Sequence, residues 1–469
     1  MSGDPTVIFF PEGAFGPTNN CVGIGQVLRA RGARVVFVVE ESFAGTLEEQ
    51  GFEERLMRLK PPLEVEEAPG QFWKDFVRET APEFRRPTLE QLEGFVLPVW
   101  RELVDGARYV NERLGEIFAE VQPDVIVEDN VVGFPAVLAS ARPWVRIVSC
   151  NPLELKDPDL PPTFSGYPAA DRSGWEEFLE RYRALHEPLQ GEFSDFCVER
   201  GAPPLPEGEF IHASAFLNLY LYPAEADYQR GRPLVPTWHR LDSCVRDTRE
   251  ALDAAVDEAL ARPPEGGALL YLSLGSLGSA DVGLMQRLLD VLGETRHHLI
   301  VSMGPQHTEL RLPPNATGAE FLPQPAILPK VDLVISHGGN NTVTESLQFG
   351  KPLLVLPLFW DQHDNAQRID ELGLGARLAP YHVEPAELTE SIDRLLGDHP
   401  LHERLRRISR RLRADPGTRR AAELIAAVAS SWERPVRDRQ ARGLRPARAP
   451  VSDGGAACAC ARRAGGRSG

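Results

Sequence analysis

Two apolar runs of strand length, spaced by one helical segment and each ending in polar residues, constrain this chain more than any other feature. Residues 321–365 read FLPQPAILPKVDLVISHGGNNTVTESLQFGKPLLVLPLFWDQHDN. Val331–Ser336 has the composition of a buried strand, His337-Gly338-Gly339 is a turn, and an amphipathic helical pattern follows. Pro352–Leu358 is a second buried strand that leads to Asp361 and Gln362. Two such runs about a dozen residues apart make a parallel βαβ unit, with its polar residues collected at the strand ends. In parallel sheets ligands bind just beyond those ends. Gly338 and Gly339 allow a ligand close to the backbone. Asn340, Asn341 and Thr342 suit a helix cap, and the free N–H groups there favour a phosphate or diphosphate.

The same theme recurs upstream. Leu269–Leu274 runs into Gly275-Ser276, and His298–Met303 into Gly304. In the N-terminal third, strand Val7–Phe10 is followed by loop Pro11–Asn20, helix Cys21–Ala30, a stop at Gly32 and strand Val35–Val39. Glu48–Leu59 and Ala107–Val121 read as helices. Asp124–Val127 is a strand ending in Glu128-Asp129-Asn130, and Val145–Ser149 is another. No G-x-G-x-x-G pattern follows the first strand, so this is a Rossmann-like half without a dinucleotide fingerprint.

A length of 469 residues suits two domains of about 200 residues each. The predicted division is an N-terminal domain over 1–232, a connection over 233–265, a second domain over 266–414, a helix over 415–432 packing back on the first domain, and a disordered tail over 433–469. That tail holds nine Arg against three acidic residues, with almost no large apolar groups to drive folding. The net charge of −17 argues against nucleic acid as a partner. No apolar run is long enough for a membrane span, and the N-terminus lacks a signal-peptide pattern. Cys21, Cys150, Cys197 and Cys244 fit reduced thiols of a cytoplasmic protein; Cys458 and Cys460 have no second pair to make a metal site. Phe164, Tyr167, Trp175, Phe178, Phe193 and Phe196, with Phe72, Trp73 and Phe76, are candidates for an apolar ligand pocket or for ordinary core.

The 321–365 segment resembles the nucleotide-sugar signature of the UDP-glycosyltransferase superfamily (glycosyltransferase family 1), in particular the bacterial macrolide glycosyltransferases. The resemblance implies an α/β fold of GT-B architecture, two Rossmann-like domains facing a cleft, with acceptor on the first and donor on the second. It implies that Phe321 stacks on the uracil held by the loop Phe321-Leu322-Pro323-Gln324. Gly275, Ser276, His337, Gly339, Asn341 and Thr342 would surround the diphosphate, Glu345 the ribose, and Asp361 and Gln362 the sugar hydroxyls. The implied reaction is inverting transfer of a hexose to a small lipophilic acceptor. UDP-glucose is the expected donor and a deoxythymidine-diphosphate sugar the alternative. No metal and no cofactor beyond the nucleotide sugar is expected.

The first βα loop departs from the family. Relatives carry Gly-His-x-Asn-Pro there, the histidine being the general base, held by an aspartate of the same domain. This chain has Gly16-Pro17-Thr18-Asn19-Asn20, so Pro17 stands at the histidine's place, and no histidine precedes His186. Asp129 falls where the partner aspartate is expected. Three readings follow: Asp129 or Glu12 acts as base, directly or through water; the acceptor is acidic and needs little help; or the protein binds nucleotide sugars without transferring them. His186, His212 and His239 are further candidates from the middle segment. A carboxylate base needs burial to raise its pKa from about 4. An epimerase acting on a nucleotide sugar would need acid and base groups that the sequence does not mark.

Overall fold

In the computed structural model, residues 4–61, 79–248 and 250–432 are described. The residues expected at Phe72, Trp73 and Phe76, the cysteines Cys458 and Cys460, and the Arg-rich tail lie outside them.

The first sheet has seven parallel strands: β1 (Thr6–Pro11), β2 (Arg34–Glu40), β3 (Glu53–Met57), β4 (Val125–Asp129), β5 (Trp144–Val148), β6 (Leu217–Tyr220) and β7 (Trp238–Arg240), in the order β3-β2-β1-β4-β5-β6-β7. Its longer helices are α1 (Phe15–Ala30), α2 (Leu97–Val121) and α3 (Trp175–Glu199). Alternation within β1 divides its side chains between two cores. Val7 and Phe9 join Cys21, Ile24 and Leu28 of α1, whereas Ile8 and Phe10 face Trp100, Val104 and Leu114 of α2. Buried on both faces, the strands need the near-continuous apolar runs that the sequence supplies.

The second sheet has six parallel strands: β8 (Leu269–Ser273), β9 (His298–Ser302), β10 (Ala316–Ala319), β11 (Leu333–Ser336), β12 (Leu353–Val355) and β13 (Gly375–Arg377), in the order β10-β9-β8-β11-β12-β13. Around it lie α4 (Val282–Gly293), α5 (Asn340–Gln348), α6 (Gln362–Glu371), α7 (Pro385–Gly397) and α8 (His399–Ala414). The last helix, α9 (Gly417–Ser431), returns to the first domain, where Ala421, Ala422 and Ile425 join Val7, Val125 and Ile24 in one buried cluster.

Four sequence expectations need correction. Glu48–Leu59 is not a helix: turns lead into strand β3, which pairs with β2 from Val36↔Glu53 to Glu40↔Met57. The periodicity misled because an edge strand with Glu53, Glu54 and Arg55 on it looks amphipathic. Helix α1 begins at Phe15 rather than Cys21; Pro17 is tolerated because first-turn N–H groups have no intrahelical partner. The stretch 233–265 is not only a connection, since β7 within it pairs with β6. The middle segment is more regular than its composition implied: α3 alone spans 25 residues.

In each sheet the chain order reverses between two neighbouring strands, β1 with β4 and β8 with β11. That is where a parallel sheet opens a crevice. The register puts Pro11 beside Asp129 in the first sheet and Ser273 beside Ser336 in the second. The residues just past these strand ends, Glu12 on one side and Gly275, Ser276 and His337 on the other, are those the sequence singled out.

Candidate active site

The two crevices open into one cleft of about 1220 Å³. Of the expected donor residues, Gly275, Ser276, Phe321, Leu322, Gln324, His337, Gly339, Asn341, Thr342, Glu345 and Asp361 all line it. Glu12, Asp129 and Pro17 line it from the first domain.

On the second-domain side the groups are set by short local bonds. Gln324 donates through Nε2 to Glu345 Oε2 at 2.6 Å, and Asn341 Nδ2 lies 3.4 Å from Glu345 Oε1. This fixes the Glu345 carboxylate, one turn into α5. Gly275 has φ +72°, and a Cβ there would lie 2.7 Å from the His337 ring. A side chain at 275 is therefore excluded twice, by backbone conformation and by contact. Burial lowers the His337 pKa to about 4, so near neutral pH its imidazole is uncharged and acts through hydrogen bonding alone. Opposite, the start of α1 comes close to the start of α5: a Cβ at Gly16 would sit 3.9 Å from Asn341 Cβ. Two helix N-termini thus face the same part of the cleft, a favourable place for anionic oxygens.

The first-domain side is a group of carboxylates. Burial, then the nearby Asp129, Asp361 and Glu154, raise Glu12 to about 7. Burial raises Asp129 to about 7 against the opposing effect of Ser149, whose hydroxyl donates to Asp129 Oδ2. Asn20 Nδ2 donates to that hydroxyl oxygen at 3.0 Å, which orients it. Glu154, also lining the cleft, is raised to about 7 by burial. Like charges in a poorly hydrated space cannot all ionise at once, so these groups share protons near neutrality.

Asp361 connects the two sides. Its Oδ2 accepts from the backbone N–H of Asn151 at 2.9 Å and from Asn365 Nδ2 at 3.3 Å, and burial raises it to about 6. One turn on, Asp364 accepts from the N–H groups of Phe164 at 2.6 Å and Gly166 at 2.8 Å. Helix α6, which follows Asp361, is therefore docked on the first domain by two carboxyl groups that accept from its backbone N–H groups, and burial raises Asp364 to about 8. Packing reinforces this. Phe359 lies 4.8 Å from Phe84 and 5.0 Å from Phe95, and Trp360 lies 4.2 Å from Phe164. Trp360 and Phe164 both have positive φ, +57° and +69°, a costly backbone for aromatic residues that surrounding contacts must hold in place.

Several expected residues fall elsewhere. Gln362 is not among the residues lining the cleft; its Oε1 accepts from the N–H groups of Leu358 at 3.0 Å and Phe359 at 3.2 Å, so it shapes the turn that carries Asp361. His186, His212 and His239 do not line the cleft. His186 is buried on the Tyr182 ring with Nδ1 2.7 Å from the Tyr182 carbonyl. The aromatics of α3, Trp175, Phe178 and Phe193, are core: a long amphipathic helix packed on α2 turns its rings inward. Sequence reasoning missed Arg146, Glu154, Asn151 and Arg246. Arg246, from the stretch assigned as connection, lines the cleft and acts electrostatically on Glu345. No local pattern marks these residues, because Arg146, Glu154 and Arg246 reach the cleft, and Asn151 reaches Asp361, only through tertiary folding. Among the described residues, no group of three or more His, Cys, Asp and Glu side chains is placed to hold a metal ion, and no helix is long and apolar enough to cross a membrane.

Known proteins share this arrangement. The family described as erythromycin biosynthesis protein CIII-like, C-terminal domain, matches residues 286–428. The chain is 31% identical to zeaxanthin glucosyltransferase of Pantoea ananas over 326 residues, which is 67% of this chain and 74% of the relative. This chain belongs to the UDP-glycosyltransferase superfamily, glycosyltransferase family 1, on its bacterial macrolide-glycosyltransferase side. Oleandomycin glycosyltransferase of Streptomyces antibioticus is 27% identical over 453 residues, 94% of this chain and 95% of the relative. Among solved structures, the glycosyltransferase of kitacinnamycin superposes with a TM-score of 0.66 at 21% identity, covering 91% of this chain and 99% of that one. The fold of this family member is GT-B, and its activity is glycosyl transfer from a nucleotide-sugar donor.

Proposed function

We propose that this family member is an inverting hexosyltransferase. It takes a hexose from a UDP-sugar, UDP-glucose being the donor to test first, and passes it to a hydroxyl of a small lipophilic acceptor. We further propose that the carboxylates Glu12 and Asp129 replace the family's histidine, with Pro17 at its place. The observation that carries this is the pair's setting: both line the cleft that holds Asp361, and both titrate near 7 rather than near 4. A base works best when its pKa is close to the working pH. Glu12 is the member that reaches the acceptor; Asp129, held by Ser149 and Asn20, keeps Glu12 basic through its charge.

The acceptor hydroxyl gives its proton to the Glu12–Asp129 pair while its oxygen attacks the anomeric carbon. The bond from that carbon to the diphosphate oxygen breaks, and the diphosphate leaves with the bonding pair. Asp361 holds the sugar, its Oδ2 fixed by Asn151. The N-termini of α1 and α5 favour the charge gathering on the leaving oxygens, and neutral His337 contributes a hydrogen bond. Relatives named for oleandomycin and zeaxanthin, and the Trp360 ring lining the cleft, support a lipophilic acceptor. The test is UDP release from UDP-glucose with phenolic, alcoholic and macrolide acceptors. Acceptor-dependent release supports transfer; UDP binding without release, with any of several donors, supports a binding protein instead.

A further inference from the structure

Phe15 and Phe321 are both 48% exposed, an unusual state for such large apolar side chains, and they meet across the cleft with ring centroids 5.7 Å apart. Phe15 opens α1 of the first domain, and Phe321 opens the loop of the second domain that leads to Gln324 and Glu345. Their planes are inclined by 38°, so each ring leaves much of a face to solvent. Behind Phe15 stands the buried Phe43, 5.4 Å away. The result is a wedge: two aromatic faces, one backed by core, open to the cleft that both line. The exposed faces of the two rings can take a flat aromatic ligand by stacking.

We propose that Phe15 is the second wall of the nucleobase subsite, so that the base of the donor nucleotide is held between Phe321 and Phe15. This rests on the reading of the cleft as a nucleotide-sugar site. Placing a planar base between two rings needs a separation of about 7 Å, twice a van der Waals contact distance. A small rotation of the half-exposed Phe15 side chain provides it. The base then contacts both domains at once. Stacking reads the face of a base and not its edge, so Phe15 serves uracil and thymine alike.

The experiment is calorimetric titration of UDP and dTDP, with inhibition by inorganic pyrophosphate measured alongside, on the wild-type protein and on Phe15→Ala, Phe15→Trp and Phe321→Ala. Phe15→Ala is expected to weaken UDP and dTDP by about tenfold, the worth of one base–aromatic stack. Pyrophosphate inhibition should be unchanged, and Phe15→Trp should restore both nucleotides. Unchanged or tighter nucleotide binding by Phe15→Ala overturns the proposal, since Phe15 would then only cover Phe321 in the empty cleft. If Phe321→Ala weakens UDP while Phe15→Ala does not, the donor site stands and the second wall falls. If wild type binds neither nucleotide, the donor reading fails and this one with it.

Discussion

The two walls of the cleft solve different problems with different chemistry. The second-domain wall is built mainly from neutral or hydrogen-bonded groups close in sequence: His337, Asn341, Thr342, and Glu345 tied to Gln324. The first-domain wall gathers carboxylates from three separated segments, Glu12, Asp129 and Glu154, each raised to about 7 by burial. A donor site must hold one anionic ligand without competing for protons; an acceptor site must accept one proton at the right moment. Burial keeps His337 uncharged on the second-domain wall and brings the pKa values of the first-domain carboxylates close to neutrality.

The sharpest way to break this contrast is to neutralise the acidic wall. Glu12→Gln or Asp129→Asn should lower kcat by about 10² to 10⁴, the usual contribution of general base catalysis, with UDP affinity from calorimetry unchanged. Loss of UDP binding instead would place these carboxylates in the donor site. Next in size, Asp361→Ala should cut kcat/KM for the sugar donor by about a hundredfold, because a charged hydrogen bond to a substrate hydroxyl contributes about 3 kcal/mol. Glu345→Ala should act in the same direction, and donor kinetics that ignore both changes would remove the donor assignment. Pro17→His is the mildest change in the cleft. It should leave UDP affinity within about twofold and, if the imidazole meets Asp129, relieve part of the defect of Glu12→Gln.

The smallest effect concerns stability. Glu128 is wholly buried, has no hydrogen-bond partner for either oxygen, and is raised by burial to about 8. With a folded pKa above the unfolded value, the folded state favours the protonated form. Its stability contribution is then present at low pH and lost as pH rises through about 8. Thermal melts should show the wild type losing stability from about pH 4.5 to about pH 8, and Glu128→Gln losing less. Parallel curves would show that Glu128 does not titrate in that window.

The same contrast explains what the sequence revealed. The second-domain wall was legible because a βαβ unit places its polar residues within one short segment, each at a strand end or helix start whose signal is local. Even there, Asp361 and Gln362 looked equivalent as neighbours, yet Gln362 turns to cap backbone N–H groups while Asp361 is held by Asn151 of the other domain. The first-domain wall was only half legible. Asp129 and Glu12 were visible as polar ends of apolar strands, and the register confirms Pro11 beside Asp129. Glu154, Arg146 and Arg246 were invisible because no local pattern marks them: Arg146 sits inside the apolar strand β5, 3.8 Å from Glu154, and Arg246 comes from the stretch between the two sheets. The aromatics of α3 misled for the opposite reason: their composition suited a pocket, but their helical spacing turned them into core.

The central claim is transfer driven by a carboxylate pair, and its most direct test is acceptor-dependent UDP release from UDP-glucose measured from about pH 5 to about pH 9. The account predicts release that depends on acceptor and falls as pH drops through about 7, with that limb abolished in Glu12→Gln. Release whose pH profile is identical in wild type and Glu12→Gln, or UDP binding with no release at any pH, would contradict it.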